Sequence, residues 1–216
     1  PDDVKAAITD NTKLIILNYQ SNPTGAVMDY DTCKALADIL RDRDIYVIAD
    51  EIYNRLVYDA KGYTSITSFD GMIEKTVYVS GFSKMFAMTG WRLGYAVSRP
   101  DIIKNMTKLH ENGASCLPEP SQLAAAYGLR HCIPEIEKMR LSYLRRRDLI
   151  CSLIDQTPGL SIKVPMGAFY AFVNAKELTQ KTGMTSRERC MDLLKKTGLF
   201  RSEYDGSQDH DMILRL

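Results

Sequence analysis

Short apolar runs alternate with amphipathic stretches through the first hundred residues. Residues 14–17 read Leu-Ile-Ile-Leu, the unbroken run expected of a strand covered on both faces. Residues 31–43 place Ala35, Leu36, Ile39 and Leu40 at helical spacing, which predicts an amphipathic helix. Further strands are predicted over 45–49, 76–80 and 93–97, and Pro100 opens a helix running to about residue 111. This alternation predicts an α/β layer on a mostly parallel sheet.

Beyond Pro118 and Pro120 the pattern changes. Residues 121–131 and 134–155 read as helices, the second long and heavily charged. Thr157-Pro158-Gly159 predicts a turn, followed by strands over 161–164 and 169–173. Another helix starts near Thr185, whose spacing to Glu188 is that of a capping box. The later part therefore predicts a smaller α+β unit attached to a long helix.

Composition changes this picture little. A net charge of +1 gives no electrostatic sign of nucleic acid, and the run Arg145-Arg146-Arg147 reads as a solvated helix face. The five cysteines are scattered, with no C-x-x-C or Cys/His cluster, so free thiols in a cytoplasmic setting are expected rather than disulfides or a zinc site. No apolar run is long enough to span a membrane. The chain starts at Pro1 and stops within the apolar run 212–216, so it is expected to be a piece of a longer protein.

The candidate chemistry gathers at predicted strand exits, where open α/β sheets bind ligands. Strand 14–17 is followed by a turn containing Asn22-Pro23-Thr24-Gly25, which is bland when taken alone. Strand 45–49 is followed by Asp50-Glu51-Ile52-Tyr53; a carboxylate after five apolar residues needs a cation or several donors, unless it merely caps the next turn. Strand 76–80 leads to Gly81-Phe82-Ser83-Lys84. A lysine there is a nucleophile candidate if its amine is partly desolvated or beside another cation. Arg92 follows eight residues later, suited to a phosphate or carboxylate. Pyridoxal phosphate has needs that match: a lysine for a Schiff base, an anion for the pyridine nitrogen, phosphate donors and a partner for the phenolic oxygen. Patterning alone does not establish that match.

The segments Asn22–Gly25, Asp50–Tyr53 and Ser83-Lys84-Met85-Phe86-Ala87-Met88-Thr89-Gly90-Trp91-Arg92-Leu93-Gly94-Tyr95, in this order and spacing, resemble the class I/II aminotransferases of fold type I, an aspartate aminotransferase-like family. The resemblance implies the C-terminal part of a three-layer α/β/α large domain over 1–130, and a linking helix with a smaller α+β domain, incomplete at its end, over 131–216. It implies pyridoxal phosphate as cofactor and transfer of an amino group between an L-amino acid and a 2-oxo acid. By family role Lys84 forms the Schiff base and shuttles the proton, Asp50 pairs with the pyridinium nitrogen, and Tyr53 and Asn22 bond the phenolic oxygen. Arg92 and Ser83 hold the phosphate. Arg215, in Ile213-Leu214-Arg215-Leu216, matches the arginine that binds the substrate carboxylate, beside which Asn22 also contacts substrate, and Pro165–Tyr170 resembles a small-domain segment. A homodimer is implied as well.

Two departures stand out. Many relatives have Ser three residues before the Schiff-base lysine, where this chain has Gly81 next to Ser80. The family's N-terminal part, with the ring-stacking aromatic residue and further phosphate donors, is not in this sequence, so the chain alone is expected to be inactive. A lyase or synthase of the same fold, and an aminotransferase-like sensor domain of a transcriptional regulator, remain alternatives, since a fold does not fix a reaction.

Overall fold

The computed structural model describes residues 1–58 and 62–197, and the backbone of 214–215. The chain divides into two compact units. The first comprises Pro1–Ser21, Ala26–Ser142 and Met166–Ala168; the second comprises Asn22–Gly25, Tyr143–Pro165 and Phe169–Leu216.

The first unit is built on a four-stranded sheet in the order β1-β2-β3-β4. Its strands are β1 (Leu14–Asn18), β2 (Tyr46–Asp50), β3 (Thr76–Gly81) and β4 (Gly94–Val97). The first three run parallel, and β4 is antiparallel to β3. The sheet is thus mostly parallel, as expected, with β4 as its antiparallel member. The stretch between β3 and β4 contains only turns and a short 3-10 segment, Thr89–Trp91, so no crossover helix exists to bring the strand back parallel.

Strand alternation gives the sheet two unlike faces. Leu17, Val47 and Ala49 pack with Cys33, Leu36, Ala37 and Leu40 of helix α2 (Tyr30–Leu40) in one buried cluster, which Ile66 and Met72 complete. The opposite face carries Leu14, Ile16 and Tyr46, with Ile16 65% exposed. The helical periodicity of α2 is thus the complement of the closed face alone. Asp29 caps its start by accepting the Thr32 amide at 2.7 Å. Lys75 closes its end, with Nζ donating to the carbonyls of Leu40, Arg41 and Arg43 at 2.6–3.0 Å.

The short helix α1 (Asp2–Ala7) precedes β1. Helices α3 (Pro100–Ala114) and α4 (Glu119–His131) follow the sheet, each with Pro in its first turn; this is as expected for α3, while α4 begins two residues before the expected 121 and so takes in Pro120. A second cluster joins Phe82, Leu93 and Ala125 with Phe86, Met88 and Tyr95. Helix α5 (Ile133–Asp155) contributes its first residues to this unit. There Arg140 pairs with Glu137 and donates to the Val57 carbonyl at 3.2 Å. Val57 bridges Gly167 antiparallel, and the Tyr58 hydroxyl donates to the Ala168 carbonyl.

The second unit holds the remainder of α5, whose Cys151 and Ile154 are buried. Strand β5 (Ser161–Ile162) pairs with β7 (Val173–Asn174), and β6 (Tyr170–Ala171) pairs with β8 (Leu214–Arg215). The strand predicted over 169–173 is thus two short strands in different sheets. Helices α6 (Lys176–Thr182) and α7 (Ser186–Thr197) complete the unit. At the start of α7 the expected box forms: the Thr185 amide donates to Glu188 Oε2 at 2.8 Å and the Glu188 amide to Thr185 Oγ1 at 3.3 Å.

Candidate active site

At the exit of β2 an acidic dipeptide straddles the sheet. Successive residues of a strand face opposite sides, so Asp50 and Glu51 diverge. Asp50 is half-buried on the open face and sits in register with Asn18, the last residue of β1. Asn18 Nδ2 donates to Asp50 Oδ2 at 2.7 Å, and the Ile52 amide reaches Oδ1 at 3.3 Å. Two donors therefore fix the carboxylate at the strand mouth. Glu51 is fully buried on the closed face. The chain then turns, and Tyr53 is buried at 4% exposure.

β3 delivers the second group. Beyond Gly81 the chain forms a tight loop in which the Phe82 carbonyl accepts the amides of both Phe86 and Met88 at 3.2 Å. Lys84 lies within it, half-buried, with Nζ 5.8 Å from the centroid of the Tyr53 ring. Asp50, Tyr53, Ser83 and Lys84 are thus all carried by the exits of adjacent parallel strands, where the sheet rule places ligands. Ser83, also half-buried, precedes Lys84 in the loop. Arg92 follows the exposed Trp91 and adopts a left-handed backbone, φ 54°, its guanidinium donating to the Thr89 carbonyl at 3.2 Å.

The departure at Gly81 has a steric reason. A Cβ there would stand 2.9 Å from the Leu93 carbonyl oxygen, 3.1 Å from Ile52 Cδ1 and 3.2 Å from Gly94 Cα, so a serine does not fit without moving the backbone of β4. Its neighbour Ser80 offers no substitute on the open face. It is buried and donates to the Glu51 carbonyl at 3.3 Å.

Asn22 and Arg215 belong to the second unit. Asn22 is exposed in a turn and precedes a cis peptide bond to Pro23. Arg215 pairs with Tyr170 in the β6–β8 ladder; its side chain lies outside the described residues.

Three groups around the acidic pair were not singled out by the sequence pattern. Asn18 holds Asp50, and Tyr19 and Ser65 donate to Glu51 Oε1 at 2.9 and 2.7 Å. Only the pairing of Asn18 with Asp50 in register could have revealed the first. The other two depend on tertiary folding. Among the described residues no cluster of His, Cys, Asp and Glu is arranged to hold a metal ion, and no helix is long and apolar enough to cross a membrane.

Comparison with known proteins matches residues 1–204 to the family described as aminotransferase class I and II. The chain is 41% identical over 189 residues to an aspartate aminotransferase of Pyrococcus abyssi, covering 87% of this chain and 47% of that protein. Among solved structures it resembles an aromatic aminotransferase from Pyrococcus horikoshii, with a TM-score of 0.80 and 40% identity over 90% of this chain and 51% of that one. It also resembles the aspartate aminotransferase of Rhizobium meliloti, with a TM-score of 0.82 and 32% identity over 90% and 50% of the two chains. The chain spans about half the length of the relatives it matches.

Proposed function

Because the chain belongs to the class I and II aminotransferase family, we propose that the whole protein is a pyridoxal-phosphate-dependent transaminase, moving an amino group between an L-amino acid and a 2-oxo acid. The observation that carries this reading is the pair at the strand exits: a carboxylate fixed by two donors at Asp50, and the Lys84 amine beside the Tyr53 ring.

The residues present fit that cofactor by the chemistry of their donors. Asp50 supplies a fixed anion for the pyridine nitrogen, and Asn18 holds it in place. Lys84 is the amine for the cofactor's aldehyde, and Tyr53 and Asn22 are hydrogen-bonding groups for the phenolic oxygen. Arg92 and Ser83 bind the phosphate, Arg92 through the guanidinium fork suited to it. Arg215 binds the substrate carboxylate, and Asn22 contacts the substrate beside it. When bound, the cofactor supplies an electron sink for the pair left as the α-proton departs. Lys84 then takes and returns that proton, acting as general base and acid. The same proposal places the protein in the cytoplasm as a homodimer. The five free cysteines accord with a reducing compartment.

The test uses the full-length protein. Added pyridoxal phosphate should give a visible absorbance band, which borohydride should bleach while fixing the cofactor covalently at Lys84, and Lys84→Ala should lose both the band and turnover. A panel of amino donors with 2-oxoglutarate then checks the transfer. Ammonia release without amine transfer would make the protein a lyase, and turnover by Lys84→Ala would remove Lys84 from the mechanism.

A further inference from the structure

Glu51 is the buried acid that the proposed chemistry does not use. It is 0% exposed, yet no cation pairs with it among the described residues. Its Oε1 accepts the Tyr19 hydroxyl at 2.9 Å and the Ser65 hydroxyl at 2.7 Å, while Oε2 has no hydrogen-bond partner. The Tyr19 hydroxyl also accepts the Ile66 amide at 3.0 Å, and Ser65 Oγ lies 2.7 Å from Thr67 Oγ1. The main chain of the same residue is held as firmly. Its amide donates to the Val79 carbonyl at 2.8 Å, and its carbonyl accepts Ser80 Oγ at 3.3 Å and the Asn54 amide at 3.1 Å.

The exit of β1, the 3-10 segment Ile66–Ser68 and β3 therefore converge on one residue. That residue stands between Asp50, which faces the open side, and Tyr53, over whose ring Lys84 lies. We infer that Glu51 is a positioning residue: its carboxyl, gripped by the Tyr19 and Ser65 hydroxyls on the closed face, sets the turn that presents Asp50 and Tyr53 to the cofactor on the open face. This inference rests on the reading of Asp50 as the partner of the cofactor's ring nitrogen.

Burial pushes the Glu51 carboxyl up to about 7; the Ser65 and Tyr19 hydroxyls pull against that rise, and the neighbouring Asp50 adds to it. The titratable groups facing it are Tyr19 from the exit of β1, Cys33 from α2, Asp50 from its own strand and Tyr78 from β3, and none is cationic. The anchor is thus about half protonated at neutrality and mostly protonated below it.

The test compares Glu51→Gln, Glu51→Ala and Tyr19→Phe with the wild type in the full-length protein. The cofactor-free forms are titrated with pyridoxal phosphate, following cofactor affinity and the pH midpoint of the bound cofactor's visible band. Thermal unfolding of the cofactor-free forms checks that each variant folds. Glu51→Gln keeps an acceptor for both hydroxyls, so its affinity should stay within about twofold of the wild type with the midpoint unmoved. Glu51→Ala should bind at least about tenfold more weakly, equivalent to about 1.4 kcal/mol, and shift the midpoint. Tyr19→Phe keeps the ring in the core and removes one donor, so its affinity should fall several-fold. Wild-type affinity and midpoint in the alanine variant overturn the positioning role and leave the transaminase reading intact. If the alanine variant does not fold, unchanged behaviour of Tyr19→Phe overturns it instead. A loss in Glu51→Gln as large as that in Glu51→Ala also overturns it. A wild type that binds no pyridoxal phosphate overturns the functional reading itself, and the inference with it.

Discussion

Replacing Glu51 by glutamine should stabilise the protein, and only at the higher end of the pH range. The carboxyl is raised from its ordinary 4.5 to about 7, chiefly by burial. An acid whose pKa is higher in the folded state binds its proton more tightly there. The wild type therefore has this contribution in full below pH 4.5, loses it as pH rises through about 7, and is level above that. At about 1.4 kcal/mol per pH unit the loss comes to about 3 kcal/mol. Glutamine has the shape of the protonated acid and does not titrate. The two proteins should then differ little at pH 4.5 and diverge to about 3 kcal/mol in favour of the glutamine variant by pH 8. The assay is urea unfolding of the cofactor-free protein across that interval, because bound cofactor would add its own stabilisation by mass action. Stopping at pH 8 keeps Cys33, whose thiol burial pushes up to about 11, out of the titration. A difference that stays flat to within about 0.5 kcal/mol, or a wild type that gains on the variant as pH rises, would refute the buried neutral acid.

Two other substitutions probe the frame around the site. Gly81→Ser should cost about 1–3 kcal/mol, seen as a lower thermal midpoint, because the new Cβ meets the Leu93 carbonyl at 2.9 Å; unchanged stability would mean that β4 yields freely. Lys75→Met should cost about 1–2 kcal/mol in urea unfolding, since three carbonyls at the end of α2 lose their charged donor. An unaltered urea midpoint would show that water replaces the ammonium without loss.

What was legible in the sequence was what periodicity and local chemistry determine. The runs at 14–17 and 76–80 became β1 and β3, and the Thr185–Glu188 spacing became a closed capping box. Helix α6 has no periodic signal, because Lys176–Thr182 has Leu178 as its sole large apolar residue and no stripe marks it. Its signals are local: Asn174 Oδ1 accepts the Lys176 amide at 3.0 Å, and Gly183 ends it at φ 66°. The candidate residues Asp50, Tyr53, Ser83 and Lys84 were named from motif order, and the structure places them on adjoining strand exits. The direction of β4 was not legible, because alternation says nothing about the route of a connection. Nor was the clasp on Glu51, whose donors lie 32 and 14 residues away in sequence.

Trp91 is the only tryptophan in the chain. It lies about half exposed at the end of a 3-10 turn, directly before Arg92 in its left-handed conformation. Its indole emission is therefore a local signal rather than an average over the fold. Excitation selective for indole reads the polarity around the segment that carries Arg92, against a background containing no other residue of its kind. On the proposed role of Arg92 in holding a phosphate, phosphate-bearing molecules added to this 216-residue chain should change that emission, with no label attached.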